Sequence, residues 1–472
     1  MPAAMPALDP FGLLRDLAEG TEQLARGLIG QERIRLAVTG LTRAGKTVFL
    51  TSLVANLLAA GRGRRTLPAL ETAAGGRLRA VRLVPAGAES MPRFDVHGHL
   101  AALAQDPPAW PDRTEDLSSL ELTLELDRTA FFGLGGMLGP RTVTLELLDY
   151  PGEWLLDLPM LGQGYEAWSA ETLARLRHPA RLPATAEFLA FVDALPEDAP
   201  GEEALARRGY GLYREALRGC RDRLGSRFLQ PGRVLNPGPR GEAPILWFFP
   251  LPQDGRSGLA ALMRRRHAAY VEEQQARFFD PFFRRFQRQA VLVDVLGALH
   301  AGKAAFDDTA EALSAIAKAL RGQDGVLARL LGLNAARVAF VATKADHVPA
   351  RQREALVSLL GHLVEAPRAG ASAAGTASGV HALAAVRCTE DDSAVVEGRS
   401  VAAVRGVLLQ GGRPARVYPG EVPDTPPDAA FWRHGYFEMP AFQPPRLDPA
   451  GGSGVPHLGL DALLAWLIGD LL

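Results

Sequence analysis

Residues 33–50, RIRLAVTGLTRAGKTVFL, decide how this chain is read. Ile34–Thr39 is a β-branched, apolar run of strand length. Lys46–Ala59 carries Val48, Leu50, Leu53, Leu57 and Leu58 at spacings a helix can pack. Between them, Gly40-Leu41-Thr42-Arg43-Ala44-Gly45-Lys46-Thr47 fits the phosphate-loop pattern G-x-x-x-x-G-K-[ST]. Gly40 and Gly45 free the backbone to wrap a phosphate with N–H groups, and the helix that follows aims its positive end at the same point. The residues expected against the phosphates are Gly40, Arg43, Ala44, Gly45, Lys46, Thr47 and Val48. Lys46 reaches the β- and γ-phosphates, and the Thr47 hydroxyl ligates Mg²⁺. Usage argues against a chance match. Of 52 Lys and Arg, only Lys46, Lys303, Lys318 and Lys344 are lysines. A chain that otherwise uses arginine keeps a compact ammonium where a guanidinium fork does not fit.

Two later motifs suit this beginning. In LELLDYPGEW, Asp149 ends an apolar strand, as an Mg²⁺-directed acid should. Asp149-Tyr150-Pro151-Gly152 also fits D-x-x-G, in which the glycine N–H senses a γ-phosphate. In VAFVATKADHV, Thr343-Lys344-Ala345-Asp346 fits the guanine motif [NT]-K-x-D after a buried strand. An Asp carboxylate accepts from guanine N1–H and the exocyclic amine, and adenine lacks that amine. Lys344 would lie along the base with its stem. The alternative is a strand-to-helix turn with Asp346 as a helix cap. Further on, ALAAVRCTED offers Val386, Arg387 and Cys388 as candidates for a base-supporting loop. Cys388 lacks the His/Asn setting of a nucleophile and reads as a packed or base-adjacent residue.

Bulk properties set the frame. The 472 residues carry a net charge of −1, which gives no global sign of a nucleic-acid partner. The clusters Arg264–His267 and Arg284-Arg285 read as solvated helix faces. Two distant cysteines argue against a disulfide scaffold and for a reducing compartment. No signal-like N-terminus and no spanning-length apolar run is found, so a cytoplasmic location is expected, with peripheral membrane attachment open.

Strand and helix alternate along the chain. A first helical pattern covers 11–30 and a loop-rich stretch 61–115. Leu120–Leu126 and Thr142–Leu148 read as a hairpin whose glycine-rich joining segment (130–140) is a tip or a contact loop. A mostly helical block runs from Trp154 to about Arg288, interrupted by APILWFFPL as a possible strand. Val291–Leu296 and Val338–Thr343 are strands, and Asp307–Leu320 and Glu354–Leu363 helices. PRAGASAAGTASG reads as a low-complexity loop, and Ala382–Arg387 as a strand. One or two more strands fall in 401–418, and a final helix in Leu460–Leu472. The pattern indicates an α/β fold of the P-loop class, with a mostly parallel sheet flanked by helices and a large, mainly helical insertion. Four parts are expected: an N-terminal helix (1–30), the first half of a nucleotide-binding core (31–153), the insertion (154–288), and the second half with a C-terminal helix (289–472).

The phosphate loop, DYPGEWLLDLP, VLVDVL and TKAD in this order, with PHLGLDALLAWLIGDLL at the end, resemble the YcjX-like family of bacterial stress-associated P-loop proteins. DYPGEWLLDLP is the most specific part, and the resemblance runs over nearly the whole chain. The family is described as predicted ATPases, while its core resembles Ras-like GTP-binding proteins with a helical insertion; the resemblance also implies a stress-response role and membrane-located protein partners. The motifs read as those of a GTP-binding protein that hydrolyses GTP to GDP with Mg²⁺. A Thr that closes over Mg²⁺ is expected between the first helix and the hairpin, at Thr114 or, behind it, Thr66. Glu153 stands after D-x-x-G, where Ras-like enzymes carry a water-orienting Gln. A carboxylate there is repelled by a γ-phosphate, so slow turnover is expected. Arg43 reads equally as a cis arginine finger or as an ion-pair partner of Glu153 or the insertion. Asp294 reads as a strand-end or switch-contact residue rather than a second Mg²⁺ acid. His97 and His99 resemble a metal pair without a third ligand. An ATPase and a non-hydrolysing nucleotide-stabilised scaffold remain the rival readings; a small-molecule kinase needs neither D-x-x-G nor T-K-x-D.

Overall fold

The computed structural model describes residues 31–41, 43–85, 92–112, 117–128, 140–238, 243–252, 257–276, 286–321, 337–373, 375–434, 437–448 and 452–472. The expected helix at 11–30, Thr42, Thr114, most of the hairpin's joining segment and Arg284-Arg285 lie outside them.

Seven strands form the main sheet: β1 (Gln31–Gly40), β2 (Leu78–Leu83), β3 (Ser118–Leu126), β4 (Arg141–Asp149), β5 (Arg288–Val293), β6 (Arg337–Ala342) and β7 (Ala377–Ala382). Their order across the sheet is β2-β3-β4-β1-β5-β6-β7, and β3 alone runs against the rest. β1 lies between β4 and β5, and Ile34, Leu36 and Val38 are buried in the core. Its polar positions set the register. Arg33 pairs with Glu121 at 2.6 Å and Glu146 at 3.0 Å, and Arg35 pairs with Glu146 at 3.0 Å. These cross-strand charges tie β1 to β3 and β4 in one alignment.

Fifteen α-helices accompany the strands among the described residues. Before the insertion come α1 (Lys46–Ala60), α2 (Pro68–Ala73) and α3 (Val96–Ala104). The insertion carries α4 (Gly152–Leu155), α5 (Tyr165–Leu176), α6 (Leu182–Asp193), α7 (Glu203–Arg223), α8 (Gly232–Leu235) and α9 (Gly258–Gln274). The second half of the core carries α10 (Val295–His300), α11 (Lys303–Arg321), α12 (Arg353–Leu363), α13 (Glu365–Ala373), α14 (Ala429–His434) and α15 (Leu460–Ile468). In α15, Leu460, Leu463, Leu464, Leu467 and Ile468 are all buried in the cluster beneath β1 and α1. The helical block has a core of its own, centred on Trp168, Tyr213, Phe248, Phe249 and Tyr270. Ion pairs bind it to α11: Arg181 to Asp308 at 2.6 Å and Arg175 to Glu311 at 2.8 Å. A separate antiparallel sheet, β8 (Thr389–Val396), β9 (Arg399–Val407) and β10 (Pro414–Val417), lies downstream.

The architecture is therefore mixed α/β with a mostly parallel sheet flanked by helices, as expected. Several local expectations are corrected. The stretch 61–115 holds α2, the edge strand β2 and α3 rather than loop alone. PRAGASAAGTASG contributes to α13 and β7, so the strand expected at Ala382–Arg387 ends where that expectation began. APILWFFPL forms a 3₁₀ turn (Pro244–Leu246) and an extended segment with no strand partner, its Phe248 and Phe249 filling the insertion core.

Candidate functional site

Every chemical motif leaves the carboxyl end of a parallel strand. The phosphate loop follows β1, Asp149 ends β4, Asp294 follows β5, Thr343 follows β6 and Leu383 follows β7. In open α/β sheets this edge is where ligands bind.

The phosphate loop uses unusual backbone. Gly45 has φ 79° as the N-cap of α1, and Arg43 has φ 67° with its side chain exposed. Lys46 Nζ donates to Gly40 O at 3.2 Å, so the ammonium folds back over its own loop. Burial pulls that ammonium below its ordinary range, and the carboxylates of Glu153 and Asp149 push it back up. Thr47 is half-buried in the first turn of α1. Asp149 is buried and level with Val38 of β1.

Gly152 sits directly on this loop. A Cβ there would lie 2.4 Å from Gly40 O and 2.5 Å from Lys46 Nζ. No other residue type fits without moving the loop, which gives the last position of D-x-x-G a steric reason. Glu153 follows in the first turn of α4, within electrostatic reach of Lys46.

The opposite end of the cleft is built around Asp346. Lys344 takes a left-handed backbone (φ 61°), and its ammonium donates to Asp294 Oδ2 at 2.7 Å. Asp294 Oδ1 meanwhile caps α10 through Gly297 N–H at 2.9 Å. Burial works to raise the Asp294 pKa, yet Lys344 and the Gly297 N–H hold it below the ordinary range. Asp294 thus positions the lysine of T-K-x-D. Asp346 does not cap a helix. Its Oδ2 accepts from Cys388 N–H at 2.8 Å and from the Cys388 thiol at 3.0 Å, and its Oδ1 lies 3.2 Å from His347 Nδ1. Burial and this carboxylate push the Cys388 thiol far up, so it stays protonated and donates.

One cleft of ≈ 310 Å³ joins the two ends. Ala44, Gly45 and Val48 line it on one side, and Thr343, Lys344 and Asp346 on the other. Of the three candidates for the base loop, Val386 lines the cleft and Cys388 binds Asp346. Arg387 turns away, with its N–H on Pro456 O at 2.7 Å and its Nε on Thr389 O at 3.0 Å. Ala384 and Ala385 also line the cleft; the strand expected at Ala382–Arg387 lies five residues past the observed one, which hides them from the sequence pattern. A strand end at Ala382 would have pointed to them. Ser52 of α1 donates to Ala385 O, which ties the helix after the phosphate loop to this base loop.

One expectation fails here. Thr66 donates to Asn56 O at 2.8 Å at the far end of α1. That is about 15 Å along the helix from Lys46, out of reach of a metal there. His97 and His99 lie two apart on α3, and His99 rests on Phe94 with ring centres 4.9 Å apart. Positions two apart do not share a helix face.

The chain matches the model of the family described as "YcjX-like family, DUF463" over residues 34–472. It belongs to the YcjX-like family. A relative in Escherichia coli (strain K12), named Ras-like GTPase YcjX, is 38% identical over 451 residues, covering 93% of this chain and 96% of that one. The relative of the same name in Shewanella oneidensis is 34% identical over 460 residues, covering 93% of this chain and 94% of that one. Among the described residues, no helix is long and apolar enough to cross a membrane.

The segment after Gly152 is clasped by the helical block, as befits a YcjX-like chain whose D-x-x-G runs straight into it. Trp154 Nε1 donates to Asn236 O at 2.9 Å, and Gln230 Nε2 to Leu156 O at 2.5 Å. A Cβ on Gly232 would lie 1.9 Å from Glu153 O. Asp157 is fully buried and accepts from Gly232 N–H at 2.7 Å and Tyr270 Oη at 2.5 Å. Burial, only partly offset by these donors and Arg233, raises its pKa to about 7. The folded chain therefore binds this proton more tightly than the unfolded chain. The stability it contributes is complete below about pH 4 and is lost as pH rises to about 7. The span of roughly three units corresponds to about 4 kcal/mol. Asp157→Asn removes the dependence. Urea unfolding at about pH 5.5 and about pH 7 is expected to show the native chain losing roughly 2 kcal/mol relative to the variant. A constant difference across that range refutes the assignment.

Proposed function

We propose that this chain is a guanine-nucleotide switch that hydrolyses GTP to GDP slowly. The observation that carries the reading is the single cleft that runs from the phosphate loop to Asp346. The Ras-like GTPase name of both relatives supports it.

The loop N–H groups and Lys46 grip the phosphates. On arrival, phosphate oxygens replace Gly40 O as the partner of the ammonium, and the charge of Lys46 is already balanced against Asp149 and Glu153. Thr47 and Asp149 offer the hydroxyl and carboxylate oxygens that suit Mg²⁺. When bound, that ion neutralises charge on the β- and γ-phosphates. Gly152, packed against Gly40 O and Lys46 Nζ, would offer its N–H to a γ-phosphate. Glu153 sets a carboxylate where a water-orienting Gln would stand, and its charge is repelled by the γ-phosphate, so turnover is slow. Arg43, exposed on the loop, serves as a cis arginine or as an ion-pair partner of Glu153 or the insertion.

At the base end, Asp346 receives guanine N1–H and the exocyclic amine. A carboxylate offers about four lone-pair positions. The Cys388 thiol is the donor that turns aside, while the Cys388 N–H keeps the carboxylate in place. Lys344 lies along the base, and the Ala384–Val386 loop borders it. Release of the γ-phosphate frees Gly152, and the Glu153–Asp157 segment passes the change to residues 154–288, which act as the responding unit. A stress-response role beside membrane-located partners rests on the family resemblance alone.

Calorimetric titration with Mg²⁺ and GDP, ADP, a non-hydrolysable GTP analogue and its ATP counterpart tests the reading. Guanine nucleotides are expected to bind at least about a hundredfold tighter than adenine ones, with phosphate release from GTP slower than about one per minute. Equal ATP affinity supports the ATPase reading instead. Tight binding with no phosphate released over hours supports the scaffold.

A further inference from the structure

Beyond the motif residues, the cleft has an apolar wall that none of them explains. It is formed by Trp110, Leu409, Met439 and Phe442. The wall is held from outside the seven-stranded sheet. Gln443 N–H donates to Val407 O and Leu409 N–H to Ala441 O, both at 2.8 Å, which pins residues 441–443 along β9. Phe442 is buried and backs the wall. Its ring meets His347 at 5.2 Å and 71°, and a Cβ on Gly406 would come 2.8 Å from it. Trp110 Nε1 donates to Phe442 O at 2.8 Å. The polar edge of the indole is thereby satisfied, and the half-buried residue lines the cleft. Leu409, 43% exposed, is one of four large apolar side chains exposed among the described residues, and it is the one that lines the cleft.

We propose that Trp110, Leu409 and Met439 form the seat on which the face of a bound purine rests, with Phe442 holding Trp110 in place. The inference rests on the guanine-nucleotide reading above. It assigns a task to the downstream sheet: β9 and residues 437–443 complete a base slot that the phosphate loop and T-K-x-D leave open on one side. A purine covers the exposed apolar surface of Leu409 and stacks on an indole whose orientation is fixed in advance. Base-on-aromatic stacking of this kind tolerates any purine, so the seat adds affinity while Asp346 chooses the base.

The test uses calorimetry on the full chain with two ligands, GDP and inorganic tripolyphosphate, each with Mg²⁺. The second carries phosphates and no base. Trp110→Ala is expected to weaken GDP about tenfold to a hundredfold and to leave tripolyphosphate unchanged. Trp110→Phe keeps a ring but not the N–H donor and is expected to recover most of the loss. Leu409→Ala is expected to cost GDP a few-fold. The seat is refuted if Trp110→Ala leaves GDP affinity intact, if both ligands weaken equally, or if Trp110→Phe is as poor as Trp110→Ala. A native chain that binds GDP no tighter than tripolyphosphate refutes the guanine reading itself, a result separable from the behaviour of the variants.

Discussion

Lys46→Ala is expected to lower the affinity for GDP and for GTP by about 10²–10⁴-fold, with the fold intact. Two effects add. The ammonium lost is the group that bonds across the phosphate loop, 3.2 Å from Gly40 O, and that faces the phosphates once they arrive. Removing one member of a buried charged arrangement costs about 3–5 kcal/mol, which converts to that range. The carboxylates of Glu153 and Asp149, whose charge now favours the ammonium, would be left facing an incoming polyanion without it. Lys46→Arg is expected to rescue little, because a planar fork does not fit where a point charge is wrapped by loop carbonyls and N–H groups. Fluorescent-GDP titration, with circular dichroism to check folding, measures this. Unchanged affinity in Lys46→Ala removes the phosphate loop from the binding site.

The parts that sequence made legible are those where local chemistry and tertiary context agree. β1 alternates buried Ile34, Leu36 and Val38, then turns at glycine into a helix, so pattern and position coincide. The scarcity of lysine singles out Lys46 and Lys344; Lys344 lines the cleft, and Lys46 directly follows Gly45, which lines it too. The parts that were not legible take their structure from neighbours. β7, ASGVHA, is poor in strand-forming residues and is held by the ladder of β6 and by α12 and α13. α13 begins EAPRAG, whose proline and glycine read as loop. β8 contains Glu390, Asp391 and Asp392, and its charges are met by Arg353, Arg405 and Arg416 from elsewhere in the chain. At the site, the cost was a misplaced strand end and the loss of Ala384 and Ala385. Trp110, Met439 and Phe442 were invisible for a different reason. They carry no chemical motif and meet only because residues 437–443 return to β9.

Asp346→Asn is expected to exchange the base preference, from guanine to xanthine. The native carboxylate presents only acceptors, which matches the two donors on one edge of guanine. An amide of the same shape places a donor there instead. Against guanine, that donor meets the exocyclic amine, another donor. Against xanthine, it meets the carbonyl oxygen that stands in the place of the amine. Loss of two charge-assisted hydrogen bonds, at about 1.5–3 kcal/mol each, predicts a fall in GDP affinity of about 10²–10⁴-fold. Xanthosine diphosphate affinity should rise by a comparable factor. The variant suits the fold because the amide oxygen still accepts from Cys388 N–H, the bond that ties residue 346 to the base loop. A stability defect alone would weaken both nucleotides together, and tripolyphosphate with them. The exchange is therefore the informative outcome. If GDP keeps its native affinity in the variant, Asp346 serves only to hold Cys388 and His347, and the cleft chooses its base by other means.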